Sequence, residues 1–190
     1  MDIQNKNRKL LKKNHVYDET MEHDACGVGL VASTEGLKSR KVVEYGIEAL
    51  KAVWHRGAID ADGKTGDGAG IHIEIPNDFF AEKIEITGHE HDNSDLCVGM
   101  IFLPRNDFGG QEQCRSIVES ELTKKNFNIY GWRQVPVDPS VLGEKAEQTR
   151  PEITQVLFTH NDKSIHGKDL ERALYETRRK IEKEALRNQL

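Results

Sequence analysis

Apolar and polar positions alternate along the chain in a way that sets out short strands and amphipathic helices. Residues 27–32 form an apolar run with the look of a buried strand, stopped by Ser33-Thr34-Glu35-Gly36. Ser39 then offers a side-chain oxygen as a helix cap. Val43, Ile47, Leu50 and Trp54 follow at helical spacing, which predicts a helix ending just before His55-Arg56-Gly57 with its apolar stripe on the sheet. After a glycine-rich loop over residues 57–70, Ile71, Ile73 and Ile75 alternate with His72 and Glu74, the period of a half-buried strand, and Pro76 stops it. Further strands are predicted over residues 97–103, 128–135 and 153–158, and helices over 111–125 and 168–187. The last helix carries Leu170, Leu174, Ile181 and Ala185 as a stripe between dense charges of both signs, a solvated outer face. Residues 85–95 are polar and read as a loop. Helices thus fall between pairs of strands without regular βαβ alternation. That favours an α+β class, a mixed or antiparallel sheet covered by helices, over a parallel doubly wound sheet.

Composition narrows the possible partners. Hydrophobic residues make up 36% and charged residues 31% of 190, enough to bury a core as one large domain or two small ones. The formal net charge of -5 leaves no basic footprint, so nucleic acid is not expected as a partner. Three cysteines, Cys26, Cys97 and Cys114, are an odd number without CxxC spacing, which argues against a disulfide framework or a zinc knuckle and fits a reducing compartment. The first 25 residues turn from basic to acidic with no apolar segment of the secretory kind, and Asp18, Glu19, Glu22 and Asp24 weigh against a transit peptide. No apolar run approaches the roughly 20 residues a bilayer span needs. Residues 1–25 therefore read as a leader on a cytoplasmic protein, and residues 26–190 as the domain proper.

Three stretches carry candidate chemistry. Ala25-Cys26-Gly27-Val28-Gly29-Leu30 places a thiol where cleavage of the preceding bond would give one residue both a nucleophile and a free α-amine. That amine titrates near pH 8 and a free thiol near 8.5, so the residue would carry its own base. The hexapeptide alone also suits a small buried hydrophobe in a strand. Residues 58–65, ending Gly63-Lys64-Thr65, superficially match a phosphate-binding loop. A helix rather than a strand precedes them, however, and Asp60, Asp62 and Asp67 would repel a phosphate. His89-Glu90-His91-Asp92 has ligand chemistry but sits in a loop without a second rigid cluster, and reads as solvated.

Taken together, the ordered blocks resemble one family, the class II glutamine amidotransferase domain at the amino terminus of the glutamate synthase large subunit. The matching residues begin with Asp24-Ala25-Cys26-Gly27-Val28-Gly29-Leu30 and His55-Arg56-Gly57-Ala58. They continue with Asp60-Ala61-Asp62-Gly63-Lys64-Thr65-Gly66-Asp67-Gly68-Ala69-Gly70 and Gly99-Met100-Ile101-Phe102-Leu103-Pro104. Gly131-Trp132-Arg133-Gln134-Val135-Pro136-Val137-Asp138, Leu142-Gly143 and Gln155-Val156-Leu157-Phe158 complete the series. The resemblance implies an N-terminal nucleophile hydrolase fold, an αββα sandwich, of which this chain holds the first part. It also implies removal of the leader and attack of Cys26 on the side-chain amide of glutamine, with Arg56 and Gly57 positioned beside the nucleophile. In the full-length enzyme it implies FMN, a 3Fe-4S cluster, 2-oxoglutarate as acceptor of the released ammonia, and a small subunit; no cofactor or metal is expected in this segment. The family's Asn-Gly oxyanion motif is missing here. His160-Asn161-Asp162 resembles it, but aspartate replaces the glycine, so this stretch is expected to be inactive by itself. Another class II amidotransferase, or a non-enzymatic interaction module, are the competing readings.

Overall fold

The computed structural model describes residues 27–53, 57, 59–66, 68–90 and 95–190. They fall into two compact units, the first drawn from Met1–Ala58 with Asp67–Ile71, the second from Ile59–Gly66 with His72–Leu190.

The first unit holds helix α1, Arg40–Ala52. Ser39 caps it as its sequence suggests, its hydroxyl accepting the Val42 amide at 3.4 Å. None of its residues is buried within the described structure, and Trp54, the last predicted stripe position, lies outside the described residues. Gly46 is where Ile71 comes in: a Cβ there would stand 3.0 Å from Ile71 Cδ1. The predicted strand at 27–32 is not formed. Val28 and Leu30 are exposed, and among the described residues this segment has no ladder partner. A strand exists only when its backbone groups pair with a neighbour, and an apolar run reports burial preference, not a partner.

The second unit is built on a three-stranded antiparallel sheet, β1 (Leu96–Leu103), β2 (Phe127–Gln134) and β3 (Glu152–His160), in the order β1-β3-β2. β3 is central and covered on both faces, which is why it reads Val156-Leu157-Phe158 without alternation. On one face α3 (Phe108–Lys124) and α5 (Gly167–Arg187) bury Val118, Leu122 and Leu170 against Cys97, Phe127, Val156 and Phe158. On the other, α2 (Asn77–Ile86) brings Phe80 and Ile84 onto Leu96, Tyr130 and Leu157. Asp107 caps α3, its carboxylate accepting the Gly110 amide at 2.9 Å. A Cβ at Gly110 would meet that carboxylate at 2.6 Å, so the cap requires glycine. β2 carries a bulge between Ile129 and Gly131, where Gly131 takes φ +151°.

Two sequence expectations change here. Residues 71–75 form no strand, with Ile71 and Ile73 exposed and Ile75 packed against the α2 cluster. Helix α2 has no counterpart among the predicted elements: Pro76 precedes its first turn, a position proline favours because no amide partner is needed there. A short 3-10 turn, Pro139–Val141, and helix α4, Glu144–Thr149, complete the unit. Among the described residues no helix is long and apolar enough to cross a membrane.

Candidate functional site

Of the site residues singled out in the sequence, Cys26 and Arg56 lie outside the described residues, and Gly57 is an exposed bend residue. Just beyond Gly57 the chain folds into a small hairpin. Ile59 and Gly66 form an antiparallel bridge, the Asp60 amide donates to the Thr65 carbonyl at 2.6 Å, and Gly63 turns the chain at φ +70°. The Asp62 carboxylate closes this hairpin. It accepts the Thr65 hydroxyl at 2.5 Å, the Lys64 amide at 2.9 Å and the Thr65 amide at 2.7 Å. The Thr65 hydroxyl first, then the two backbone amides, hold this carboxyl far below the usual carboxylate range. The Gly63-Lys64-Thr65 sequence thus forms a turn in which the Lys64 and Thr65 amides are taken by the turn's own aspartate.

The hairpin is also gripped from a distant part of the chain. Lys145 Nζ donates to both oxygens of Asp60 at 2.7 Å, and a Cβ at Gly143 would stand 2.2 Å from Thr65 Oγ1 and 2.5 Å from Asp62 Oδ2. The Ala146 amide adds a long contact, 3.4 Å, to Thr65 Oγ1. Leu142-Gly143 stands out in the sequence as a block but gives no sign there of its partner, because pairing across some 85 positions leaves no local pattern.

Other candidates resolve into structural roles. His160-Asn161-Asp162 forms a turn: Asp162 accepts the Ser164 amide and hydroxyl at 2.9 and 2.7 Å, and Asn161 Nδ2 donates to Asn126 Oδ1 at 3.0 Å. These contacts hold the turn and tie it to Asn126. His89 contacts the Thr87 hydroxyl at 3.0 Å and sets its ring edge-on to Tyr130, whereas His91 and Asp92 lie outside the described residues. An open cleft of about 380 Å³ runs between Phe102–Asn106 and Gln148–Pro151. Its two arginines, Arg105 and Arg150, share Glu147 at 2.5 and 2.8 Å, and Arg150 first holds that carboxyl below its ordinary value. Among the described residues no group of three or more His, Cys, Asp or Glu side chains could hold a metal ion.

Cys97 and Cys114 do not suit a thiolate role. Burial pushes the Cys97 thiol up to about 12, with Asp95 and Glu171 adding to the effect, and burial likewise raises Cys114. In the native chain at pH 8, Cys97 should therefore be alkylated by iodoacetamide far more slowly than in urea, and after Cys114, which is only partly buried. Peptide mass spectrometry over time reads the order; rapid labelling of Cys97 would refute its burial in the core.

Over residues 26–190 the chain matches the sequence profile of the class-II glutamine amidotransferases, and it belongs to that family. Among similar proteins, the glutamate synthase [NADPH] large chain of Azospirillum brasilense is 51% identical over 177 residues, 93% of this chain and 12% of that protein. Ferredoxin-dependent glutamate synthase 2, chloroplastic, of Arabidopsis thaliana is 37% identical over 89% of this chain and 10% of its own length. Ferredoxin-dependent glutamate synthase 2 of Synechocystis sp. is 37% identical over 81% of this chain and 10% of its own. The chain spans 12% or less of the length of these relatives.

Proposed function

We propose that this chain is the glutamine-cleaving part of a glutamate synthase large subunit. The observation that carries the reading is 51% identity to a glutamate synthase large chain across nearly the whole of this chain, within a family that acts on glutamine. In this reading residues 1–25 are a leader, and removing it makes Cys26 the first residue; the start of the family match at residue 26 supports that boundary. The Cys26 thiolate attacks the side-chain carbonyl carbon of glutamine, while its own α-amine takes the thiol proton and hands it to the departing nitrogen. Ammonia leaves, a γ-glutamyl thioester remains, and water cleaves it to glutamate and free thiol. Arg56 and Gly57 position this chemistry in an αββα N-terminal nucleophile hydrolase sandwich.

The released ammonia joins 2-oxoglutarate in the full-length, cytoplasmic enzyme, which acts with a small subunit. FMN and a 3Fe-4S cluster supply electron transfer there. Among the described residues Cys97 and Cys114 are two thiols, short of the three or four ligands a cluster requires, and no described group of three or more ligating side chains accompanies them. The experiment is the intact mass of the full-length protein purified from its own cells, with glutamine hydrolysis measured on the same sample. An amino terminus at Cys26 on protein that hydrolyses glutamine is expected. Active protein that keeps residues before Cys26 would refute the self-contained nucleophile and base.

A further inference from the structure

The face of the sheet that carries Leu96, Val98 and Leu157 is only half covered. Helix α2 packs over the end around Leu157 and Tyr130, and the strand register carries the same face on through two further rows. Met100, Gln155 and Arg133 sit side by side across the three strands, with Phe102 and Ile153 in the row beyond. Met100 and Phe102 are 49% and 64% exposed, and Phe79, at the rim of α2, is exposed as well. Amid this surface the Arg133 guanidinium lies 5.2 Å from the Phe79 ring and donates to Gln155 Oε1 at 2.6 Å. Among the described residues no carboxylate pairs with it. The other cation on that ring, Lys83, has Glu82 at 2.8 Å.

The donors fix what this surface takes. A guanidinium can only donate, so the oxygen of Gln155 faces it, and the amide nitrogen is left with hydrogens that no described residue accepts. Gln155 is 8% exposed, so the sheet itself holds the pair in place. Arginine and glutamine together present N–H groups and one positive charge, the complement of a carboxylate. A free carboxylate would use those groups but not the flat apolar area of Met100 and Phe102 beside them. A protein segment with an acidic side chain among apolar ones uses both, as interface cores enriched in Phe, Met and Arg do. We propose that the half-face of Met100, Phe102, Gln155 and Arg133 docks such a segment, and that the full-length protein supplies it from outside these 190 residues. The proposal rests on the reading of this chain as part of a glutamate synthase large subunit. This chain matches 12% or less of such relatives, and a segment tethered in the same molecule meets the face at high effective concentration.

The test places a thiol on the face. In Phe102→Cys, labelling of the introduced thiol by N-ethylmaleimide is followed by peptide mass spectrometry in the full-length glutamate synthase and in the 190-residue chain. Buried Cys97, unlabelled in the same samples, certifies that each is folded, and Met100→Cys takes over if Cys97 becomes labelled. Labelling should be at least about tenfold slower in the full-length protein. Adding Arg133→Met there should abolish most of that difference. Arg133→Lys should keep the protection and, on treatment with a carbodiimide, join its amine as an amide to a carboxylate outside residues 1–190. Equal labelling in the two proteins overturns the docking surface, and protection that survives Arg133→Met overturns the carboxylate anchor. Protection already present in the 190-residue chain overturns the supplied segment: if it rises with protein concentration the occupant is a second copy, and if it appears on addition of acetate it is a free carboxylate. Glutamine hydrolysis by the parent protein keeps the two levels apart. Its absence refutes the glutaminase reading whatever the thiol does, whereas equal labelling in an enzyme that hydrolyses glutamine sinks only the docking surface.

Discussion

Replacing Cys26 by alanine in the full-length enzyme should reduce glutamine-dependent glutamate formation by about four orders of magnitude or more, the scale seen when a hydrolase loses its nucleophile. Ammonia-dependent formation should persist, because in the proposed function the thiol serves only amide cleavage. The split is what identifies the role. Loss of a merely structural cysteine would lower both rates together through unfolding, and alanine is close enough in size to leave a strand or turn intact. Cys97 supplies the internal control: its thiol is buried and held protonated, so Cys97→Ala should trim stability and leave the glutamine-to-ammonia ratio of rates where it was. Steady-state assays with each nitrogen source on the two variants give the answer. A Cys97→Ala protein that folds, makes glutamate from ammonia and cannot use glutamine would move the nucleophile away from residue 26.

The elements that sequence patterning captures are those whose two faces meet different surroundings. Helix α5 shows this best: Leu170, Leu174 and Ile181 contribute to the core cluster while Arg178, Arg179 and Glu182 form ion pairs on the outside, and its 21 residues match the predicted helix to within one position at its start. β1 and β3 are legible because each is an apolar run bounded by turns. Helix α2 escapes such patterning for a physical reason. Its Phe79 is exposed and its Phe80 buried, so the pair suggests no stripe, and Pro76 can end a strand as readily as open a helix. The segments at 27–32 and 71–75, which form no strand, show the converse error: alternation or apolarity does not by itself supply the ladder that a strand needs.

The site divides along the same line. Chemistry that resides in one stretch, such as an aspartate that fills its own turn, is local to the sequence, whereas Cys26 lies outside the described residues. The aspartates counted against a phosphate at residues 60 and 62 turn out to be the hairpin's fastenings, one closing the turn and one receiving Lys145. Gly143 cannot be read at all from its surroundings. A glycine between Leu142 and Glu144 has many explanations, and only the approach of Thr65 from some 80 positions away selects one.

Leu157→Ala should be the most destabilising of the simple core truncations. Leu157 lies on the central strand at 1% exposure, packed with Phe80, Ile84, Leu96 and Tyr130, so removing its isobutyl group leaves a cavity between a sheet and a helix that cannot easily collapse. Leucine-to-alanine changes at such positions cost about 2–5 kcal/mol, a large part of the roughly 5–15 kcal/mol that holds an ordinary domain together. With a urea dependence of about 2 kcal/mol per molar, the unfolding midpoint of the 190-residue chain should fall by about 1–2.5 M, read by far-ultraviolet circular dichroism. Phe102→Ala is the contrast. Strand periodicity puts Phe102 on the same face of the sheet as Leu96 and Val98, but at the end α2 does not reach, and it is 64% exposed. A side chain already in water has little transfer energy to lose, so this larger truncation should shift stability by no more than about 0.5 kcal/mol. Equal losses from the two changes would mean that the far end of the face is covered in solution, and that the helix α2 contact is not what makes Leu157 costly to remove.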